Sequence, residues 1–453
     1  MRWATQITSQ PDGRIWAIAG PAIVSNVTTA SIGLVDSWAV GHLPEEAALA
    51  GLALGAYGMS MLAWALSFLR MGTTGLVAQA AGSGQARRAA EVVVRATIIG
   101  LGLGGLLLLA KGPLIEGALT VLGASGPEED IAKTYAGIRL WGVPLILAKM
   151  AVLGLLIGRQ RTDIALFLEA FVNISNAVLT ILFVTILSLG VPGAAWASLI
   201  AEVSGGLLSL AILVAALRPG LLGIMLRQRR LWRWQAFAAL FRLNGALFIR
   251  TLLLIAGFGL FLNVAGDIGT VTLAACHIVL NFYVLQALTL DALAYAAEAL
   301  VGEAIGRDSR EEMRAWVIRT TLWAVALSLL YFGVFGAFGR PLFHLFTDQA
   351  AVRAAAEPLY IWIALTPPIA IWCYQLDGIF VGAARAKPMM WTMAAALIGF
   401  YALTQWLVPI KGSAGLCAAF LSFFGLRGLG LIAAYLPMEK SLFGPTRRKR
   451  HAA

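Results

Sequence analysis

The chain has 453 residues, 60% of them hydrophobic and only 13% charged, with a mean hydropathy of +0.82 and a formal net charge of +11. Soluble domains carry about 25% charged residues, so this composition cannot dress a water-facing surface. Soluble enzyme, nucleic-acid binder and disordered chain are excluded as readings, and a polytopic membrane protein remains. A helix needs about 20 apolar residues to cross a bilayer, which leaves room for roughly twelve spans.

The hydropathy pattern predicts them over 15–41, 48–81, 90–110, 132–158, 163–188, 192–217, 240–265, 271–304, 315–338, 355–383, 389–410 and 414–436. The N-terminus is short and polar, with no small-residue cleavage signature, so span one reads as uncleaved. That span carries Pro21, which removes a backbone hydrogen bond and can bend a helix. It also carries Asp36, in the outer half of the span. A carboxylate at that depth is costly unless hydrated or paired, and one that can be neutral or charged there suits a proton carrier. The plainer alternatives are a helix-end aspartate near the outer surface and a first-turn proline.

Span two presents Tyr57, Met59, Met61 and Trp64, and span eight Phe282, Tyr283 and Gln286. Aromatic and thioether groups suit flat amphipathic cations, and they equally suit lipid or core. Span four holds Arg139 and Lys149, which either neutralise Asp36 or Glu202 or snorkel to an interface. Span five carries Asn173, Asn176 and Thr180, and span six Ser198 and Glu202. Such groups form a site or simply bond neighbouring helices. Arg250 on span seven, Asp291 and Glu298 on span eight and Asp377 on span ten predict a charged network, with Arg250 pairing Asp291 or Asp377. A paired charge costs far less in a bundle than a lone one. The three cysteines lie in apolar runs and the four histidines show no ligand spacing, so no disulfide, metal or cofactor site is expected.

Basic residues collect on alternate loops: Arg87 and Arg88, Arg159 and Arg161, the arginines of 218–233, Arg307, Arg310 and Arg314, and the C-terminal tail. The opposite loops hold only Lys111, Lys133, Arg340, Arg353 and Lys411. This bias puts both termini in the cytoplasm. The RQRRLWRW run reads as an interfacial stretch, with basic heads toward lipid phosphate and tryptophan at the boundary.

A shift of 224 residues superposes two regions of the chain without a gap. Leu76-Val77 falls on Leu300-Val301, Gly82 on Gly306, Arg95 on Arg319, Pro144 on Pro368, Gly154 on Gly378, Gly158 on Gly382 and Arg161 on Arg385. With six spans per half, the copies share one topology and are related by an axis along the membrane normal. The expected organisation is an N-lobe over 1–217, a basic cytoplasmic linker over 218–239, a C-lobe over 240–438 and a basic tail over 439–453. Spans one and two should face spans seven and eight across a cleft.

Four motifs then stand out. They are Pro21 … Leu34-Val35-Asp36-Ser37 … Val40-Gly41-His42-Leu43, and Phe248-Ile249-Arg250-Thr251. The others are Asp291 … Ala296-Ala297-Glu298-Ala299-Leu300-Val301-Gly302, and Leu376-Asp377-Gly378-Ile379-Phe380 with Gly382-Ala383. In this order on a 6+6 repeat, the sequence resembles the multidrug and toxic compound extrusion (MATE) transporters, DinF-like branch, over nearly its whole length. The stretch Gly82 to Arg88 lacks the loop motif of the major facilitator family.

The resemblance implies a bacterial inner-membrane exporter of amphipathic, above all cationic, small molecules, working as a monomer by rocking alternating access. It implies Asp36 as the coupling residue, Pro21 as the point where the first helix changes its bend, and an asparagine and hydroxyl partner at Asn176 and Ser198. The family's second aspartate is replaced by Thr180, and the NorM-like branch's span-seven glutamate by Arg250 or Ile249. Both departures favour protons over sodium, which wants several oxygen ligands including charge, though sodium stays open. Its partners are substrate, protons and membrane lipids, with no nucleic acid. Rival readings are a lipid or lipid-linked flippase, given colour by Arg139, Lys149 and Arg250, and a multi-pass lipid-modifying enzyme, for which no catalytic cluster stands out.

Overall fold

In hydrocarbon an unpartnered backbone N–H or C=O is costly, so a spanning chain closes its hydrogen bonds within helices. The computed structural model describes residues 11–41, 46–217, 219–344 and 348–444, and every regular element among them is helical. The His42-Leu43 end of the first motif, and the arginines and lysine beyond residue 444, lie outside the described residues.

The helices run α1 Pro11–Gly41, α2 Glu46–Leu66, α3 Phe68–Gly82, α4 Ala86–Leu109, α5 Lys111–Val121, α6 Pro127–Arg139, α7 Val143–Gly158, α8 Thr162–Thr180 and α9 Gly190–Leu217. Then follow α10 Pro219–Arg227, α11 Trp234–Ile268, α12 Thr270–Gly306, α13 Arg310–His344, α14 Ala350–Ala356, α15 Tyr360–Gly382 and α16 Ala386–Phe443. Among the described residues, ten helical stretches are long and apolar enough to cross a membrane. The longest is the 58 residues of α16, which contains Gly412 at φ 56, a left-handed position where two helices meet. The helices α5 and α10 occupy stretches that hydropathy alone reads as loop, being too short to register as spans.

Packing divides the chain into two compact units, one of Gly20–Arg242 and the other of Met1–Ala19 with Leu243–Ala453. In the first unit α7 lies tight on α3. A Cβ on Gly154 would come 2.7 Å from the Arg70 carbonyl oxygen, and one on Gly158 2.7 Å from that of Thr74. In the second unit α15 meets α12 by the same device, Gly378 against Ala294 O at 2.5 Å and Gly382 against Glu298 O at 2.6 Å. Each contact recurs after the 224-residue shift. So do the left-handed turn residues: Gly84 with Asp308, Gln160 with Ala384, and Ser188 with Gly412. The repeat read from side chains is thus a repeat of backbone turns and helix contacts.

The linker is folded onto the first unit. Met225 and Leu231 join the buried cluster around Val77, Val93, Val152 and Leu168. Arg95 donates to the carbonyl oxygens of Leu231 at 2.8 Å and Arg230 at 2.9 Å. The start of α1 packs within the other unit, through Arg14–Glu303 at 2.6 Å, Arg319–Asp12 at 3.3 Å and Trp16 edge-on to Trp323.

Candidate functional site: buried polar networks in each repeat

Asp36 is 5% exposed on α1, and the Thr180 hydroxyl donates to its Oδ1 at 2.8 Å. Thr180 ends α8, immediately before a six-residue π-helical turn, Ile181–Ile186; such irregularities are frequent at functional sites. Thr180, which stands where the resemblance implies a second aspartate, is therefore the residue that holds Asp36. Two turns earlier on both helices, the Asn173 amide meets the Thr28 hydroxyl at 3.0 Å. These two levels of contact bind α1 alongside α8, with the helices running in the same direction. Pro21 lies inside α1 next to Gly20, where the boundary between the compact units falls.

Asn176 does not bond Asp36; its Nδ2 donates to Ser198 Oγ at 2.8 Å. The wholly buried Tyr135 takes a hydrogen bond from Arg139 Nη1 at 3.1 Å and also lies against Ser198. Arg139 forms an ion pair with Glu202. Lys149, read from sequence as a partner for Asp36 or Glu202, pairs instead with Glu169 at 3.0 Å. Sequence reading missed Tyr135 and Glu169: a tyrosine at the foot of an apolar run looks like packing, and Glu169 looks like a lone charge until α7 and α8 are set side by side.

In the second unit Arg250 pairs with Asp377, and Arg427 reaches the same carboxylate oxygen at 2.9 Å. Arg427 is 1% exposed and was overlooked, although a single arginine inside the apolar run 414–436 is itself a signal. Asp291 lies within electrostatic reach of Tyr283 and Tyr374, whose hydroxyls bond each other. Of the residues proposed to line a cleft, Phe282, Tyr283 and Gln286 are buried inside this unit. Phe282 packs on Phe335, Tyr283 stacks on Phe424 at 4.7 Å, and Gln286 donates to the Ile363 carbonyl. Tyr57 is exposed and Met61 partly so. Among the described residues no group of three or more His, Cys, Asp or Glu is placed to hold a metal ion.

A protein-family model described as MatE matches residues 21–182 and again residues 247–407, one copy in each repeat. The chain belongs to the MATE family. It is 35% identical over 426 residues to the "DNA damage-inducible protein F" of Escherichia coli (strain K12), covering 94% of this chain and 92% of that protein. Its fold is similar to that of a multidrug resistance MATE family transporter solved in an outward-facing conformation, with a TM-score of 0.84 at 18% identity over 97% of this chain and 98% of the other. The Vibrio cholerae MATE transporter VcmN in its bent form gives a TM-score of 0.81 at 20% identity, over 98% and 99% of the two chains. This MATE-family chain is a multi-pass membrane protein, and its family are transporters, not enzymes.

Proposed function

We propose that this MATE-family chain is a proton-coupled antiporter that exports amphipathic compounds, cations above all, across a bacterial inner membrane. The reading takes α1 and the two arms of α16 as separate spans, giving twelve, with both termini in the cytoplasm. Transport runs by rocking alternating access, and Asp36 is the coupling group. It takes a proton on the outer side, loses its attraction for substrate, and gives the proton up inside.

The observation that carries this is the seat of Asp36. Its carboxyl is buried among helices on the Thr180 hydroxyl and is not left in water at a helix end. A carboxyl held this way has its charge state set by the protein, which is what coupling requires. Thr180 supplies a neutral hydroxyl where a second anion would strengthen a sodium site, so protons suffice.

The test is efflux of ethidium from proteoliposomes under an imposed pH gradient without sodium, for wild type and Asp36→Asn. Wild type should transport and the variant should not, at equal reconstitution. Full transport by Asp36→Asn would remove Asp36 from coupling, and efflux by wild type only after sodium is added would replace the proton as driving ion.

A further inference from the structure

Arg139 stands between two carboxylates. It ends α6, where a short 3-10 turn, Leu140–Gly142, joins that helix to α7. Its Nη2 pairs with Glu202 of α9 and its Nη1 with the Tyr135 hydroxyl, and its guanidinium lies 5.6 Å from the centre of the Tyr135 ring. Asp36, on α1, lies within the electrostatic reach of both Arg139 and Glu202.

The ion pair is incomplete. Arg139 Nε and Glu202 Oε2 are both buried without a hydrogen-bond partner. A guanidinium and a carboxylate can close two parallel hydrogen bonds, and this pair leaves a donor and an acceptor unused. Room beside Glu202 is kept by Gly142, whose added Cβ would meet Leu199 at 3.1 Å and Glu202 Oε2 at 3.6 Å.

Charge accounting follows. With Asp36 protonated, Arg139 and Glu202 cancel. With Asp36 ionised, two carboxylates share the neighbourhood of one guanidinium. The other ionisable groups on the helices around it are Tyr57, Tyr135, Lys149 and Glu169, with Glu128, Glu129, Asp130 and Lys133 in the first two turns of α6, and Asp12, Arg14, Glu46 and Asp163 at the starts of α1, α2 and α8. Arg139 is the cation that acts on Asp36 among the described residues, while Lys149 is engaged by Glu169 at 3.0 Å.

We propose that Arg139 is a shared counterion, held by Glu202 while Asp36 carries its proton and turned toward Asp36 when that proton leaves. Arg139 and Glu202 are then positioning residues: they act through Asp36 and set the pH at which it exchanges its proton. This inference rests on the reading of Asp36 as the coupling carboxyl.

The two substitutions must push in opposite directions. Glu202→Gln removes the competing anion, leaves Arg139 to Asp36 and favours the ionised form. Arg139→Gln removes the cation and favours the protonated form. Ethidium efflux from proteoliposomes is measured across pH, together with the protonated-carboxyl infrared band that disappears in Asp36→Asn. We expect Glu202→Gln to move both profiles about one pH unit toward acid, a tenfold change in proton affinity. Arg139→Gln should move both a similar distance toward alkali, and Arg139→Lys, which keeps the cation, should stay near wild type.

Shifts in the same direction, or unmoved profiles in folded variants, overturn the proposal. Should Arg139→Gln fail to fold, Glu202→Gln decides alone, since an unmoved profile there removes the competition for Arg139. The two readings fail separately. If the Asp36 band is present and titrates but neither variant moves it, the shared counterion falls while coupling stands. If Asp36→Asn transports normally, the coupling reading falls first.

Discussion

Asp377 holds two guanidiniums on one carboxylate oxygen, with Arg427 sealed from any solvent and Arg250 nearly so. The three charges are unequal in what their loss leaves behind. Removing either arginine leaves Asp377 with a partner. Removing Asp377 strands two buried cations, and an uncompensated buried charge costs about 3–5 kcal/mol. We expect Asp377→Ala to lower the thermal midpoint of the detergent-purified protein well below that of Arg250→Leu or Arg427→Leu. Equal losses in all three would show that the arginines are held by other groups. The pairing of Arg250 was legible in the sequence because an intramembrane arginine demands a carboxylate and few stand near its depth. Arg427 was not, because one charge in a long apolar run passes unnoticed when runs are scored by mean hydropathy. The seat of Asp36 was only half legible. Its burial followed from depth, whereas its partner Thr180 was read as a missing aspartate and proved to be the donor.

Helix contact here depends on glycines that admit a neighbouring backbone. A Cβ at Gly378 would meet the Ala294 carbonyl oxygen at 2.5 Å, and one at Gly154 the Arg70 carbonyl oxygen at 2.7 Å. Backbone cannot step aside as a side chain can, and overpacking costs about 1–3 kcal/mol. Gly378→Ala and Gly154→Ala should each reduce the thermal midpoint, while Gly105→Ala, which meets nothing within 4 Å, should leave it unchanged or raise it through helix propensity. A wild-type midpoint for Gly378→Ala would show that α15 and α12 can separate without loss. The positions of these glycines were visible as repeat-matched pairs, but not what they touch. Spacing along one helix says nothing about which face its neighbour covers. The short helices α5 and α10 escaped for another reason: hydropathy windows sized for a bilayer do not resolve elements of eleven and nine residues.

At the scale of the molecule, the chain is two copies of one pattern, yet the compact units do not coincide with the sequence division at 218–239. Residues 11–19 fold with the second copy, and the linker folds with the first. A chain cut in the linker should therefore stay together. Co-expressed fragments 1–217 and 218–453 are expected to co-purify through an affinity tag on either one, because residues 11–19 pack within the second unit through Arg14, Trp16 and Asp12. Deleting residues 1–19 from the first fragment should weaken that recovery, and unchanged recovery would show that those contacts do not hold the fragments.

The same exchange bears on descent. Residues 11–18 stand opposite residues 235–242 under the 224-residue shift, and each of these leading segments falls in the compact unit of the other copy. A single-copy forerunner built on this plan could not complete its own packing as a monomer. Two such copies would complete each other's packing by exchanging N-terminal arms, the low-cost route by which identical chains become partners. Joining two such copies would need only a tether from the end of one copy to an arm already lying on it. That is the place the linker now occupies, with Leu231 buried and its carbonyl held by Arg95.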